Sequence, residues 1–487
     1  MSKEVNKYLT EVTLPMREIF KDMVKYTPSK IFGLLGNTVL VPVYTNLLTR
    51  EEYGVYTVAI AVLSFLCIIF SDWVGLSGLR FFREHQLQNQ ISKYLSTLVL
   101  ILSTNIVLMF LVAFFFRHQF YDFFDIPEKR FFAIVLLVIP TAVRALLFQI
   151  LRAQIKPSAF TISTIINQIL TILLSVFVIK TFHLGGVSIL IGMALSISII
   201  DVILIFQSNI LKYFKIEPLS WNTLKSIFMY GLPIAIASIS LWSITQSNKI
   251  IVQQLRGFSD AALIGVGYSL TFPILMTLFA IFTVAAYPRI INIYEDKKDV
   301  RPIISKITGY FLAIAIPLAV LASVYSKDIV DLLANEKFAE AYVLIPYLAF
   351  GCLFLSLAEY TTMQYLLVKK TYINTIIRIV AGLIGVGLNY LLILKMGIVG
   401  AGIATLFANF IYFSLSLIIV MPNLEWRIPF KKLKHIVISF IPMVLLYFIF
   451  HFLKSDIHPW VEMSTLLGIY LITFFVVSRL DKDRYII

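Results

Sequence analysis

Cysteine is almost missing: Cys67 and Cys352 are the only two in 487 residues. Each sits inside an apolar stretch and reads as a small core residue, so no disulfide framework is available. Charge is scarce too. Asp, Glu, Lys and Arg make up 14% of the chain, against about 25% in typical soluble domains. The six histidines form no pair at ligand spacing. No H-E-x-x-H, C-x-x-C or phosphate-loop G-x-x-x-x-G-K-[ST] occurs, so metal sites, ATP hydrolysis and a resident cofactor are unsupported. No polar segment is long enough for a catalytic domain. The N-terminus has scattered charges in place of an apolar signal core.

What fills the chain is apolar: 59% of residues are hydrophobic and the mean hydropathy is +0.88. A soluble protein of this size could not hide so much apolar surface in one core. The fold class is an all-α polytopic membrane protein. About 20 apolar residues span a bilayer. That rule gives fourteen spans, at 29–49, 54–79, 94–115, 131–151, 160–180, 184–206, 226–247, 261–287, 307–325, 342–366, 373–394, 398–420, 435–453 and 459–478. Lysines and arginines concentrate in alternate loops, which places both termini on the cytoplasmic side. The net charge of +14 follows from those loops and gives no reason to expect nucleic acid as a partner.

The two halves repeat. A shift of 214 residues lays Ile155-Lys156 on Lys369-Lys370 and Gly185-Gly186-Val187 on Val399-Gly400-Ala401 without a gap. Six spans per copy keep both copies in the same orientation, so they are parallel repeats. The expected organisation is an amphipathic N-terminal segment (1–28), an N-lobe (29–206), a basic cytoplasmic linker (207–225), a C-lobe (226–420) and a C-terminal helix pair (421–487). The glycine clusters Gly382/Gly385/Gly387 and Gly397/Gly400/Gly402 suit close helix approach.

The first exit loop reads Leu47-Leu48-Thr49-Arg50-Glu51-Glu52-Tyr53-Gly54-Val55-Tyr56, and the second span ends Asp72-Trp73-Val74-Gly75-Leu76-Ser77-Gly78-Leu79-Arg80. The second repeat opens Tyr230-Gly231-Leu232-Pro233 and continues to Gly265-Val266-Gly267-Tyr268. These stretches resemble the bacterial polysaccharide flippases (Wzx-type O-antigen and exopolysaccharide translocases). That family shares a superfamily with the peptidoglycan lipid flippases and the multidrug exporters. The resemblance covers roughly residues 29–420. It implies alternating-access movement of an undecaprenyl-diphosphate-linked oligosaccharide from the cytoplasmic to the outer leaflet of the inner membrane, and no bond-making enzyme activity. It also implies membrane lipids, a polysaccharide polymerase and a chain-length regulator as partners. H+, Na+ or the membrane potential are the energy sources to consider. Where relatives carry an acidic–basic pair after the seventh span, this chain reads Asn248-Lys249; the acid is lost and the cation kept.

Charges inside spans cost about 2.5–3.5 kcal/mol each on insertion scales, so each needs a reason. Arg144 and Arg378 either face a cavity, where a guanidinium clamps a diphosphate bidentately, or snorkel to the inner surface. Arg80 lies at the inner mouth, and Lys249 and Arg256 near the outer mouth. Each fits head-group attraction, and membrane anchoring explains Arg80 equally well. Asp72 and Glu359 are cation or gating candidates. Under the 214-residue shift Glu359 falls on Ala145, next to Arg144. Either these two charges pair across the lobes or each is satisfied within its own. Asp201, near an inner end, is expected to be hydrated. Trp73 and Trp242 could line a cavity and stack on sugars.

The rival readings are a cation-coupled multidrug exporter, a lipid II flippase, and, from another class, a polysaccharide polymerase or ligase. The exporter would favour acidic over basic membrane charges. The polymerase would need a large outer loop.

Overall fold

The computed structural model describes residues 27, 30–124, 128–154, 156–213, 220–452 and 457–480. The expected amphipathic segment 1–28, apart from Thr27, and the core of the basic linker (214–219) lie outside the described residues.

Every regular element among the described residues is helical. The long helices are α1 (30–47), α2 (Arg50–Leu87), α3 (Ile91–Phe115), α4 (Glu128–Ala153), α5 (Pro157–Phe182), α6 (Gly186–Ser208), α7 (Trp221–Thr245), α8 (Phe258–Glu295), α9 (Arg301–Val324) and α10 (Ile345–Leu367). Thr371–Ile418 turns at Gly397, whose φ of 61° and ψ of −138° are not helical. It therefore divides into α11 (371–396) and α12 (398–418). The series closes with α13 (Phe430–Phe452) and α14 (Pro459–Leu480). Twelve of these are long and apolar enough to cross a membrane when Thr371–Ile418 counts once. Dividing it at Gly397 and adding α1 gives the fourteen helices expected, and the chain is a multi-pass membrane protein.

The Leu-Thr-Arg-Glu-Glu-Tyr-Gly stretch is a helix start. The Thr49 N–H donates to the Glu52 carboxylate at 2.9 Å, and the Glu52 N–H donates to Thr49 Oγ1 at 3.2 Å. This is a capping box that satisfies two otherwise orphaned donors of α2. Gly54 then lets α2 cross the start of α8: a Cβ there would sit 1.9 Å from the Phe258 carbonyl oxygen. Gly265 does the reverse, since its Cβ would meet Thr57 Oγ1 at 2.2 Å. Equivalent glycines of the two repeats thus make one tight crossing.

The repeat is visible in the turns. After α2, the Gln90 N–H reaches the His85 carbonyl; after α8, Lys298 N–H reaches Ile293; after α10, Lys370 N–H reaches Tyr365; after α4, Lys156 N–H reaches Leu151. All four are six-residue helix closures of one kind. The expectation of a gapless repeat needs one correction. Gly185 (φ 60°, ψ −140°) matches Gly397 (φ 61°, ψ −138°). The register is therefore 214 up to the fifth helix of each repeat and 212 after it, because His183 and Leu184 stand between α5 and Gly185 whereas Gly397 follows α11 directly.

Contacts divide the chain into two units: Val39–Gly265 with Arg378–Ala401, and Met1–Thr38 with Val266–Ile377 and Gly402–Ile487. The first has a core of Trp73, Tyr94, Leu98, Leu146, Ile150 and Ile200. Gly231 admits the Trp73 ring, which would lie 2.3 Å from a Cβ there. Trp73 is 3% exposed and packs on Phe228, so it serves packing and does not line a cavity. The second unit is built around Phe282, Phe311, Tyr360 and Leu353, and α13 and α14 join it through Met443, Leu466 and Tyr470 beside Leu321. The glycine clusters are partly explained by packing: a Cβ on Gly382 would meet Ser243, and one on Gly400 the Leu392 carbonyl, whereas Gly387 faces open space. Apolar side chains such as Leu173, Phe177, Leu383 and Phe448 remain exposed, as lipid-facing surfaces require.

Candidate functional site

In the first unit, α2 changes winding at Ile68–Asp72, a π-helical turn. Such turns leave carbonyls poorly partnered and recur at functional sites. Here three side chains cover them. Ser71 Oγ donates to the Cys67 carbonyl at 2.9 Å, the Trp73 indole to Ile69 at 2.9 Å, and Asn105 Nδ2 of α3 to Phe70 at 3.0 Å. The turn ends on Asp72, half-buried, whose Oδ1 lies 3.3 Å from Ser71 Oγ and competes with the Cys67 carbonyl for its proton.

Arg144 of α4 lies half-buried in the same unit. It is close enough to Asp201 of α6 for each charge to act on the other, and Cys67 feels both Arg144 and Asp72. Asp201 corrects the sequence expectation. It is 6% exposed, not hydrated, and its Oδ1 has no hydrogen-bond partner. A buried carboxylate of this kind is costly unless compensated, and Arg144 is the nearby compensation. The first unit therefore gathers Asp72, Arg144 and Asp201 in its membrane-embedded part.

The remaining sequence candidates of this unit have separate surroundings. Lys249 sits on the short helix Ser247–Arg256 that follows α7. It is 9% exposed and donates to Gln246 Oε1 at 2.5 Å. Burial pushes its ammonium down to about 8. Arg256 is held by Asp260, Nε to Oδ2 at 2.7 Å. Arg50 reaches the other oxygen of Asp260 at 3.4 Å, so one carboxylate bridges two guanidiniums. Arg80 is exposed over the Phe81 ring, and Arg378 is half-buried on α11. Trp242 donates its indole N–H to the Ala61 carbonyl at 3.1 Å and to Ser64 Oγ at 3.0 Å.

Glu359 belongs to the second unit. Its Oε1 accepts from the Tyr412 hydroxyl of α12 at 3.0 Å, and Asn374 Oδ1 lies 3.0 Å from the same hydroxyl. One hydroxyl proton cannot serve two acceptors, so turning the Asn374 amide to donate completes the set. Sequence reasoning found Glu359 but missed Tyr412 and Asn374. The corrected register supplies the missing signal. Arg144 and Glu359 are one residue out of step at 214, and Asp201 and Tyr412 are one out of step at 212. In each repeat the fourth and sixth helices bring polar groups together at corresponding positions: Glu359 and Tyr412 are in hydrogen-bond contact, whereas Arg144 and Asp201 are within electrostatic reach without forming an ion pair. One pair is cationic–anionic, the other anionic–hydroxyl.

Among the described residues no cluster of His, Cys, Asp and Glu suits a metal ion.

Residues 43–343 match the family described as polysaccharide biosynthesis protein. The chain belongs to that family. An uncharacterized membrane protein of Methanocaldococcus jannaschii is 23% identical over 417 residues, covering 80% of this chain and 81% of the relative. Among solved structures, the lipid II flippase MurJ in an inward closed conformation is similar with a TM-score of 0.72 at 14% identity, over 95% of this chain and 99% of that one. A multidrug resistance MATE family transporter of the MOP superfamily, inward-facing, is similar with a TM-score of 0.66 at 14% identity, over 80% and 93%. The chain has the fold of these transporters, and the resemblance read from its motifs is confirmed at the level of family and fold.

Proposed function

We propose that this protein is a flippase for an undecaprenyl-diphosphate-linked oligosaccharide, moving it from the cytoplasmic to the outer leaflet by alternating access for surface polysaccharide synthesis. The observation that carries this reading is membership of a polysaccharide biosynthesis family by a chain with a transporter fold. The site chemistry supports it. A diphosphate head needs cations at membrane depth, and Arg144 offers a guanidinium whose planar donors suit a diphosphate. Arg378 and Lys249 are further cations for the head group, with Arg80 and Arg256 at the mouths.

Asp72 and Asp201 beside Arg144, and Glu359 beside Tyr412, are the groups on which H+, Na+ or the membrane potential would act. Termini in the cytoplasm follow from the basic loops. A polymerase and a chain-length regulator are the partners this role calls for. Depletion of the protein tests the reading: the lipid-linked unit should accumulate on the cytoplasmic side, and undisturbed delivery to the outer leaflet would remove it.

The similarity to MurJ over nearly the whole of both chains favours lipid II as a second reading. It is separated by asking whether depletion arrests cell-wall growth or only surface polysaccharide. The MATE-like fold keeps a drug exporter in view, which drug sensitivity of a deletion strain checks.

A further inference from the structure

A cavity of about 780 Å³ opens in the second unit where the α8–α9, α10–α11 and α12–α13 connections meet. Four cations line it, Lys297, Lys298, Arg301 and Lys369, with Glu295 and Asp299 as the acids. Their roles differ. Arg301 is a fixed wall: it holds Asp299 through two contacts of 2.9 Å and Glu425 through one of 2.9 Å. These bonds keep the Glu425 carboxyl below its ordinary range, so it stays committed to Arg301. Lys298 pairs with Asp296 at 3.5 Å. Lys297 and Lys369 make no ion pair among the described residues.

Those two lysines also share an unusual backbone. Lys297 has φ 58° and Lys369 φ 59°, the left-handed region that glycine and asparagine occupy most readily. Each closes a helix at that point. In the first repeat the same closure is made by Asn89, φ 57°, a residue suited to it. The second repeat keeps the geometry and places an ammonium there twice, facing one cavity. A local backbone cost retained at two positions around one space points to use of the side chains. The closures also occupy terminal carbonyls of α8 and α10, which would otherwise repel an anion.

We propose that this cavity binds a phosphate or diphosphate group through Lys297 and Lys369, outside the membrane-embedded site. The group could belong to a lipid head or to a soluble diphosphate; only the assignment to the flippase's own substrate rests on the proposed function.

The test uses full-length protein in nanodiscs of phosphatidylcholine, titrated with inorganic pyrophosphate by calorimetry. Wild type should bind saturably. The double variant Lys297→Asn with Lys369→Asn, which keeps a left-handed-compatible residue as at Asn89, should bind at least tenfold more weakly while its unliganded melting temperature is unchanged or higher. No saturable binding by wild type, or equal binding by the double variant, overturns the proposal. Repeating the titration in phosphatidylglycerol nanodiscs identifies the source. Weaker apparent pyrophosphate affinity supports the site with a lipid head as occupant, and unchanged affinity supports it with a soluble or substrate diphosphate. Pyrophosphate carries no lipid, so a failed translocation assay leaves this result standing.

Discussion

The Tyr412 hydroxyl meets the Glu359 carboxylate at 3.0 Å, joining the fourth and sixth helices of the second repeat. At the same level of the first repeat Arg144 and Asp201 act on each other. The two repeats thus place polar groups at corresponding positions, in hydrogen-bond contact in the second and only within electrostatic reach in the first. A difference of this kind lets the two repeats respond differently to a proton, a cation or an anionic head group. Replacing Tyr412 by Phe removes one buried hydrogen bond, and about 1 kcal/mol of stability should be lost. Thermal unfolding in detergent measures it; Glu359→Gln, which keeps an accepting oxygen, should lose less.

Asp201 is buried with an unpartnered oxygen, and Arg144 answers its charge. Arg144→Leu alone leaves the buried Asp201 carboxylate without its compensating charge and should destabilise the protein, with about 3–5 kcal/mol, the cost of breaking a fully paired buried bridge, as the upper bound. The double variant Arg144→Leu with Asp201→Leu should be more stable than Arg144→Leu alone. Strictly additive losses would show that the two charges do not compensate each other.

Gly54 and Gly468 give a packing contrast. A Cβ at Gly54 would lie 1.9 Å from the Phe258 carbonyl oxygen, whereas Gly468 has nothing within 4 Å. Gly54→Ala should therefore cost about 1–3 kcal/mol or more, seen as a lower melting temperature or lost expression. Gly468→Ala, inside α14, should be neutral or stabilising.

Lys249 has its ammonium pushed down to about 8 by burial, against about 10.4 in an unfolded chain. Between these values the unfolded chain binds more protons, so stability rises with pH across that window. The charged form is the penalised one below it. Lys249→Met should remove the rise and stabilise the protein at pH 7, on the order of 3 kcal/mol at most. Denaturant melts at pH 7 and pH 9.5 compare the two proteins, and an unchanged slope in the variant would assign the pH dependence elsewhere.

Much of the fold was legible in the sequence because membrane helices announce themselves by length and apolarity. The duplication and the start of α2 were legible as well, though the capping box of Thr49 and Glu52 explains its motif as architecture. The site was less legible. The sequence of Ile68–Asp72 does not mark a π-helical turn, since Ser71 and Trp73 are ordinary residues of a span and the third support comes from Asn105 on another helix. Asp201 reads as an end residue until α4 packs beside it. Tyr412 and Asn374 are ordinary polar residues until the two-residue change in register sets them against Glu359.

The most direct test of the account is translocation by purified protein in liposomes loaded with an undecaprenyl-diphosphate oligosaccharide. The measured quantity is the fraction of lipid-linked sugar that an external glycosidase reaches with time. Wild type should raise that fraction well above protein-free liposomes, and Arg144→Ala should return it close to background. Equal accessibility with and without the protein would contradict the account.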